Sequence, residues 1–181
     1  MRTALINHIT EEDTTMGTSE HLQAAFAGES QANRTHLAFA KKAEQDGFPT
    51  VAKLFRAAAD AETVHAHAHL RVMGGVKTTA ENLDASIGGE GHEFREMYPG
   101  FLKEAEKEGN AAAVVSFRNA LAVEGIHYGL YSNALKAVKG GTDLPASSIF
   151  VCQVCGNTVL GGAPEKCPVC SAPKAKFIEV Q

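Results

Sequence analysis

Cysteine is scarce in this chain and confined to one stretch, with all four residues lying between Cys152 and Cys170. That confinement excludes a disulfide framework spread through a secreted fold and points to a single local thiol site. Basic residues are not in excess either: 17 Lys plus Arg stand against 21 Asp plus Glu, for a formal net charge of −4. The cationic face that nucleic acid or an anionic membrane requires is therefore missing, and neither partner is expected. No apolar run approaches the roughly 20 residues of a membrane span. The opening stretch, Met1 to Thr18, lacks the apolar core of about 7–15 residues that marks a signal peptide, so the expected compartment is the cytoplasm. A length of 181 residues accommodates one ordinary domain of roughly 100–150 residues together with a small module.

What the chain does have, from about Ser19 to Lys139, is Ala, Leu, Glu and Lys in abundance, punctuated by Gly or Pro near 47–49, 74–75, 88–91, 99–100 and 109. This predicts four long helices. The first, Ser19 to Gln45, carries Leu22, Ala25, Glu29, Ala32, His36, Phe39 and Ala43 along one face. The second, after Pro49, gives Val51, Phe55, Ala58, Glu62, His65, His69 and Val72. The fourth, after Asn110, gives Phe117, Leu121, Glu124, His127, Tyr131 and Leu135. In the third, Leu83, Ile87, Glu90, Glu93, Met97 and Phe101 share a stripe, and Pro99-Gly100 should kink or break it, because proline lacks the amide donor and clashes with the preceding turn. Acids recur among the apolar residues of every stripe.

The acids also repeat. Gly28-Glu29 with Arg34 recurs as Gly89-Glu90 with Arg95, and Phe55-Arg56 through Glu62 to His65 recurs as Phe117-Arg118 through Glu124 to His127. An αα-hairpin present twice packs with approximate two-fold symmetry, which predicts an all-α four-helix bundle with the repeated residues converging in its core. Each Glu-x-x-His places both side chains on one helix face about a turn apart. A single such pair reads equally well as a solvated face or a hydrogen-bonded core histidine. Five carboxylates (Glu29, Glu62, Glu90, Glu93 and Glu124) in one core are another matter, since burying them without a cation would force protonation. The stripes hold no Lys or Arg, and two divalent ions with neutral His65 and His127 bring the site near neutrality. Oxygen-rich ligands with two imidazoles suit iron or manganese; zinc fits the ligands but brings no redox chemistry. Glu93 breaks the symmetry, its counterpart being Ala32, and so offers a spare ligand. His67 should face solvent, and His69 is an alternative ligand.

Residues 140–148, rich in Gly, Pro and Ser, read as a linker between a bundle spanning 19–139 and a module spanning 149–181, with 1–18 as an N-terminal arm. The module carries Cys152-x-x-Cys155 and Cys167-x-x-Cys170, whose four thiolates converge on one tetrahedral metal. Val151, Val169, Phe177 and Ile178 are its expected core. Four sulfurs suit zinc or iron; a one-electron iron-thiolate centre beside a metal pair makes functional sense, with zinc able to replace it in recombinant preparations.

Ala27-Gly28-Glu29-Ser30-Gln31, Glu62-Thr63-Val64-His65, Gly89-Glu90 through Glu93 to Glu96-Met97-Tyr98-Pro99, Glu124-Gly125-Ile126-His127, and the closing Cys-Pro-Val-Cys with Ala172-Pro173-Lys174 resemble the rubrerythrin family, from about Glu20 to Val180. The resemblance implies a ferritin-like di-iron bundle with a rubredoxin-like iron domain. It implies reduction of hydrogen peroxide to water, in defence against oxidative stress, at two irons held by Glu29, Glu62, His65, Glu90, Glu93, Glu124 and His127. Electrons are relayed through the iron on Cys152, Cys155, Cys167 and Cys170, from an unidentified donor such as a rubredoxin or an NAD(P)H-dependent reductase. It also implies that one iron exchanges Glu93 for His65 on reduction, and that the protein is a head-to-tail homodimer. Two departures stand out. His36 replaces a tyrosine common in the family, for which Tyr98 can compensate as a catalytic residue, and Ser171 replaces a glycine after the second cysteine pair, where strain is expected. A ferroxidase or iron-storage protein of ferritin type, and a structural zinc scaffold, are the competing readings.

Overall fold

The computed structural model describes residues 17–145 and 147–181; the expected N-terminal arm lies outside them except for Gly17 and Thr18. The chain divides into two compact units between Lys77 and Thr78, and each is described in turn.

The first unit is a helical hairpin of α1 (Thr18–Gln45) and α2 (Pro49–Val72). Gly47, at φ +83°, supplies the left-handed residue after α1 that a side chain resists, and Pro49 starts α2 at a position where its missing amide costs nothing. The seam between the helices is alanine: Ala40, Ala43, Ala52, Ala59 and Ala66 are its buried residues, and such small side chains let the two backbones approach closely. Asn33 crosses the seam, its Nδ2 donating to the Ala59 carbonyl at 2.7 Å and the Thr63 hydroxyl at 2.9 Å. The stripe read from the sequence shares only Ala43 with this seam. Its Phe39, Val51 and Val72 are exposed, and Glu29 and Glu62 sit half-buried beside the alanines. Alanine spacing, rather than the larger apolar residues, decides where α1 meets α2.

The second unit begins with α3 (Thr79–His92), capped by Thr78 and Glu81 in a reciprocal capping box. The expected break at Pro99-Gly100 does not occur. Instead Glu93–Met97 form a π-helical turn, in which the Tyr98 amide bonds to the Glu93 carbonyl, and α4 (Tyr98–Lys107) follows with Pro99 in its first turn. Proline is tolerated there because first-turn amides have no partner inside their own helix. The π turn is a one-residue insertion relative to the first hairpin: 33 positions separate Glu29 from Glu62, but 34 separate Glu90 from Glu124. It places Glu93, the acid without a counterpart, at the point where the helical register shifts. Helix α5 (Ala111–Lys139) opens on Asn110, whose side chain accepts from the Ala113 amide, and runs beside α3. Gly125 lets the Phe94 ring lie on α5, since a Cβ there would come within 3.1 Å of it.

The C-terminal module folds as a three-stranded antiparallel sheet of order β2-β1-β3, from β1 (Ile149–Cys152), β2 (Thr158–Leu160) and β3 (Phe177–Glu179). Its core is Cys152, Cys167 and Phe177, with Phe150, Val159 and Val169 packed against them. Val151 and Ile178, both expected in that core, are not part of it, and Ile178 is 57% exposed. Strand alternation explains the correction: Cys152 must point toward the other sulfurs, so Phe150 and the cross-strand partner Phe177 share its face, while Val151 and its partner Ile178 take the other. Ser171 holds φ +62°, the one positive φ outside glycine among the described residues, and Gly156 holds +85° at the matching place after the first cysteine pair. A left-handed non-glycine residue costs about 1–2 kcal/mol. Ser171→Gly is therefore expected to raise the stability of the iron-loaded module by about 1 kcal/mol, read as slower iron loss in denaturant; an unchanged rate would show the turn to be unstrained.

Candidate metal centres

The two hairpins present matching ligand sets. In the first unit α1 contributes Glu29 and α2 contributes Glu62 and His65, with His65 Nδ1 3.1 Å from Glu62 Oε2 and 3.7 Å from Glu29 Oε2. In the second unit α3 contributes Glu90 and α5 contributes Glu124 and His127, with His127 Nδ1 2.9 Å from Glu124 Oε2 and 4.0 Å from Glu90 Oε1. Within each set the ligating atoms lie within 4.8 Å of one another, close enough to share an ion.

Their electrostatics suit a cation. Desolvation, reinforced by a hydrogen bond to Glu124 and by the charges of Glu124 and Glu93, pushes Glu90 up to about 7. Glu29 is raised, first by a hydrogen bond shared with Glu62, and Glu62 is lowered, first by the same bond. Carboxylates that keep protons because they face one another are the donor set a divalent ion fits. A consequence follows for Glu90. Its folded value lies above the ordinary 4.5, so the folded metal-free protein holds a proton that the unfolded chain releases; the stability this gives is complete below about 4.5 and lost as pH rises through about 7. Raising the pH from about 5 to about 8 is expected to lower the melting temperature of the metal-free protein while strengthening metal uptake, which calorimetry with and without ferrous iron reads directly. A melting temperature that climbs across this window without metal would contradict the assignment.

Of the other expected residues, Glu93 is half-buried and outside the three-residue set, but its charge bears on both Glu90 and Tyr98. Tyr98 packs edge-on against Phe101 and near Phe117, and desolvation together with the Glu93, Glu124 and Glu90 charges raises its phenol, keeping it protonated. His67 is exposed, as expected, and His69 is half-buried but belongs to neither set. His36 lies beside Phe55, its ring centroid 6.1 Å away, with its buried Nδ1 unpartnered among the described residues.

The four cysteines are free thiols. Cys152 and Cys170 sulfurs are 3.7 Å apart, and those of Cys155 and Cys167 are 3.5 Å apart, too long for a disulfide and close to the edge of about 3.8 Å in a tetrahedron with metal–sulfur bonds of about 2.3 Å. The two cysteine hairpins mirror one another, Gly156 and Ser171 amides donating to the Cys152 and Cys167 carbonyls. Burial raises the Cys167 thiol, but hydrogen bonds from the Cys170 and Val169 amides outweigh it and bring it down to about 7. Buried Asn157 donates to the Cys167 sulfur at 3.6 Å. The sequence reading singles out neither Asn157 nor its neighbour Thr158; a polar residue directly after Cys-x-x-Cys-Gly is the signal for Asn157, and Thr158 has none.

Comparison with known proteins spans both sites. The rubrerythrin family model matches residues 20–135, and the model of the rubredoxin-like domain of rubrerythrin matches residues 150–178. Rubrerythrin-2 of Clostridium acetobutylicum is 33% identical, the alignment covering 88% of this chain and 95% of that protein. Nigerythrin of Nitratidesulfovibrio vulgaris is 33% identical over 94% of this chain and 91% of its own length. Solved nigerythrin structures are similar too: a mixed-valence state superposes with a TM-score of 0.53 at 31% identity, and a fully reduced, all-ferrous state with 0.54 at 30%, each covering 97% of this chain and 91% of that one. The fold class is all-α and ferritin-like with a rubredoxin-like domain, and its cofactors are iron. With one family model over most of the helical region and relatives sharing a third of their residues across nearly their whole length, this chain belongs to the rubrerythrin family of oxidoreductases.

Proposed function

We propose that this protein is a di-iron peroxidase that reduces hydrogen peroxide to two waters, consuming two electrons and two protons. The observation that carries the reading is the position of the four-cysteine site: it lies in the same compact unit as Glu90, Glu124 and His127, and Thr158 of the cysteine module hydrogen-bonds His127 at 2.9 Å. An electron-transfer site directly against a ligand of the metal pair serves turnover of a diffusible oxidant, whereas iron storage has no use for it. When bound, a pair of iron ions supplies the two electrons and a Lewis-acidic seat for the peroxide oxygens.

Seven residues would hold the pair: Glu29, Glu62, His65, Glu90, Glu93, Glu124 and His127. Glu93 and His65 would be its exchangeable ligands. His65 is 55% exposed and Glu93 sits in a π turn, so both have room to move, whereas His127 is 25% exposed and has Glu124 and Thr158 each 2.9 Å from a ring nitrogen. Tyr98, held protonated beside Glu93, is a hydrogen-bond donor that can serve a leaving oxygen. Electrons arrive from a rubredoxin or an NAD(P)H-dependent reductase in the cytoplasm, and the working form is a head-to-tail homodimer. Among the described residues no helix is long and apolar enough to cross a membrane.

The reading is tested by steady-state assay with a reductase-coupled donor alongside native mass. Peroxide-dependent donor oxidation by a species of about two chains is the expected result. Oxygen-driven iron uptake by an assembly of many chains, without peroxide turnover, would replace this reading with the ferroxidase.

A further inference from the structure

The hydroxyl of Thr158 stands between the cysteine module and a metal ligand. Thr158 lies in β2, opposite Val151 of β1. Its Oγ1 is 2.9 Å from His127 Nε2 and donates to the Gly156 carbonyl at 3.2 Å. Gly156 directly follows Cys155 in the first cysteine hairpin, and that hairpin sits against α5: a Cβ on Gly156 would lie 3.7 Å from Val123, one turn before His127 and 2% exposed.

A hydroxyl has one proton to give. A hydroxyl that gives its proton to the Gly156 carbonyl accepts from the imidazole, and Nε2 then carries the ring's N–H. Nδ1 is then left with its lone pair, and Nδ1 is the nitrogen that faces Glu124 and Glu90. From this donor inventory we infer that Thr158 is a positioning residue, fixing His127 in the tautomer and orientation that present Nδ1 to the metal. The inference rests on the metal-pair reading above. It also separates the two histidines. His65 is more than twice as exposed as His127, and its position in the first hairpin has no cysteine module folded against it within its own unit. The duplicated Glu-x-x-His motif thus acquires one anchored imidazole and one free to swing, and the difference originates outside the repeat.

Partners of this kind typically affect metal affinity by about 10- to 100-fold. The test compares Thr158→Val, which keeps shape and strand propensity but removes the hydroxyl, with Thr158→Ser, which keeps it. Each full-length protein is titrated anaerobically with ferrous iron against a competing chelator, and the His127 ring nitrogens are followed by 15N NMR in the zinc-loaded form. The visible iron-thiolate band is the folding control. The expected result is a pair affinity lowered about 10- to 100-fold in Thr158→Val, loss of the pure Nε2–H signal, an unchanged thiolate band, and recovery of both in Thr158→Ser. Wild-type affinity and tautomer in Thr158→Val would overturn the inference, as would a serine variant as weak as the valine one, since packing rather than the hydroxyl would then be responsible. A wild-type protein that binds no iron beyond its thiolate site would instead overturn the metal-pair reading itself.

Discussion

Glu62→Ala is expected to bind its iron-thiolate centre normally, keep its visible colour, and lose both the metal pair and peroxide turnover. Glu62 contributes an oxygen 3.1 Å from the His65 nitrogen and lies against Glu29, so its removal leaves two ligands where three met. Loss of a partner that merely orients a ligand costs about 10- to 100-fold, and loss of the ligand itself should cost at least the upper end, about 100-fold in turnover. The fold should survive, because Glu62 lies beside the alanine seam and removing it relieves carboxylate repulsion; circular dichroism should show unchanged helix content. Iron analysis is expected to fall from about three ions per chain toward about one. An unchanged turnover would mean that the site lies elsewhere.

Cys155→Ser has the complementary effect. The module's buried core consists of Cys152, Cys167 and Phe177, so metal coordination rather than burial stabilises it. Replacing one thiolate is expected to abolish the visible band and to unfold 149–181 while α1–α5 remain helical. Donor-driven peroxide turnover should fall by two orders of magnitude or more, by analogy with ligand loss at the pair. A chemically reduced metal pair, loaded with excess ferrous iron to offset the weaker binding expected once Thr158 leaves His127, should nevertheless still be oxidised by one equivalent of peroxide, because the carboxylate and histidine ligands are untouched. Loss of that single-turnover oxidation at full iron loading would show that the module takes part in the oxidation itself.

How much of the molecule is legible in its sequence depends on what kind of physics sets each feature. The candidate ligands are readable because acids on apolar helix faces are conspicuous, and a duplicated pattern makes coincidence untenable. Helix starts are readable where caps speak plainly, as at Asn110 and Pro49. The π turn escapes a reading in which Pro99-Gly100 is the obvious breaker, although the one-residue difference between the repeats already locates the insertion. The packing seam of α1 and α2 escapes because small alanines, not large apolar residues, determine how closely helices approach. Ile178 is misplaced by counting apolar residues without following strand alternation from Cys152. Thr158 lies beyond reach for a different reason: its importance comes from a tertiary contact, 31 positions from His127, that no local pattern encodes. The strain expected at Ser171 matches its φ of +62°, at the place where the first cysteine hairpin has Gly156.

The central claim, peroxide reduction at a metal pair supplied by the thiolate iron, is tested most directly before steady state. The iron-loaded protein is reduced anaerobically, mixed with one equivalent of hydrogen peroxide per chain, and followed by stopped-flow visible spectroscopy. The account predicts rapid oxidation of the pair, followed by a slower rise of the ferric thiolate band as electrons pass from that centre to the pair. If peroxide leaves both centres reduced for minutes while dissolved oxygen oxidises them readily, the peroxidase reading is contradicted and iron oxidation becomes the activity to explain.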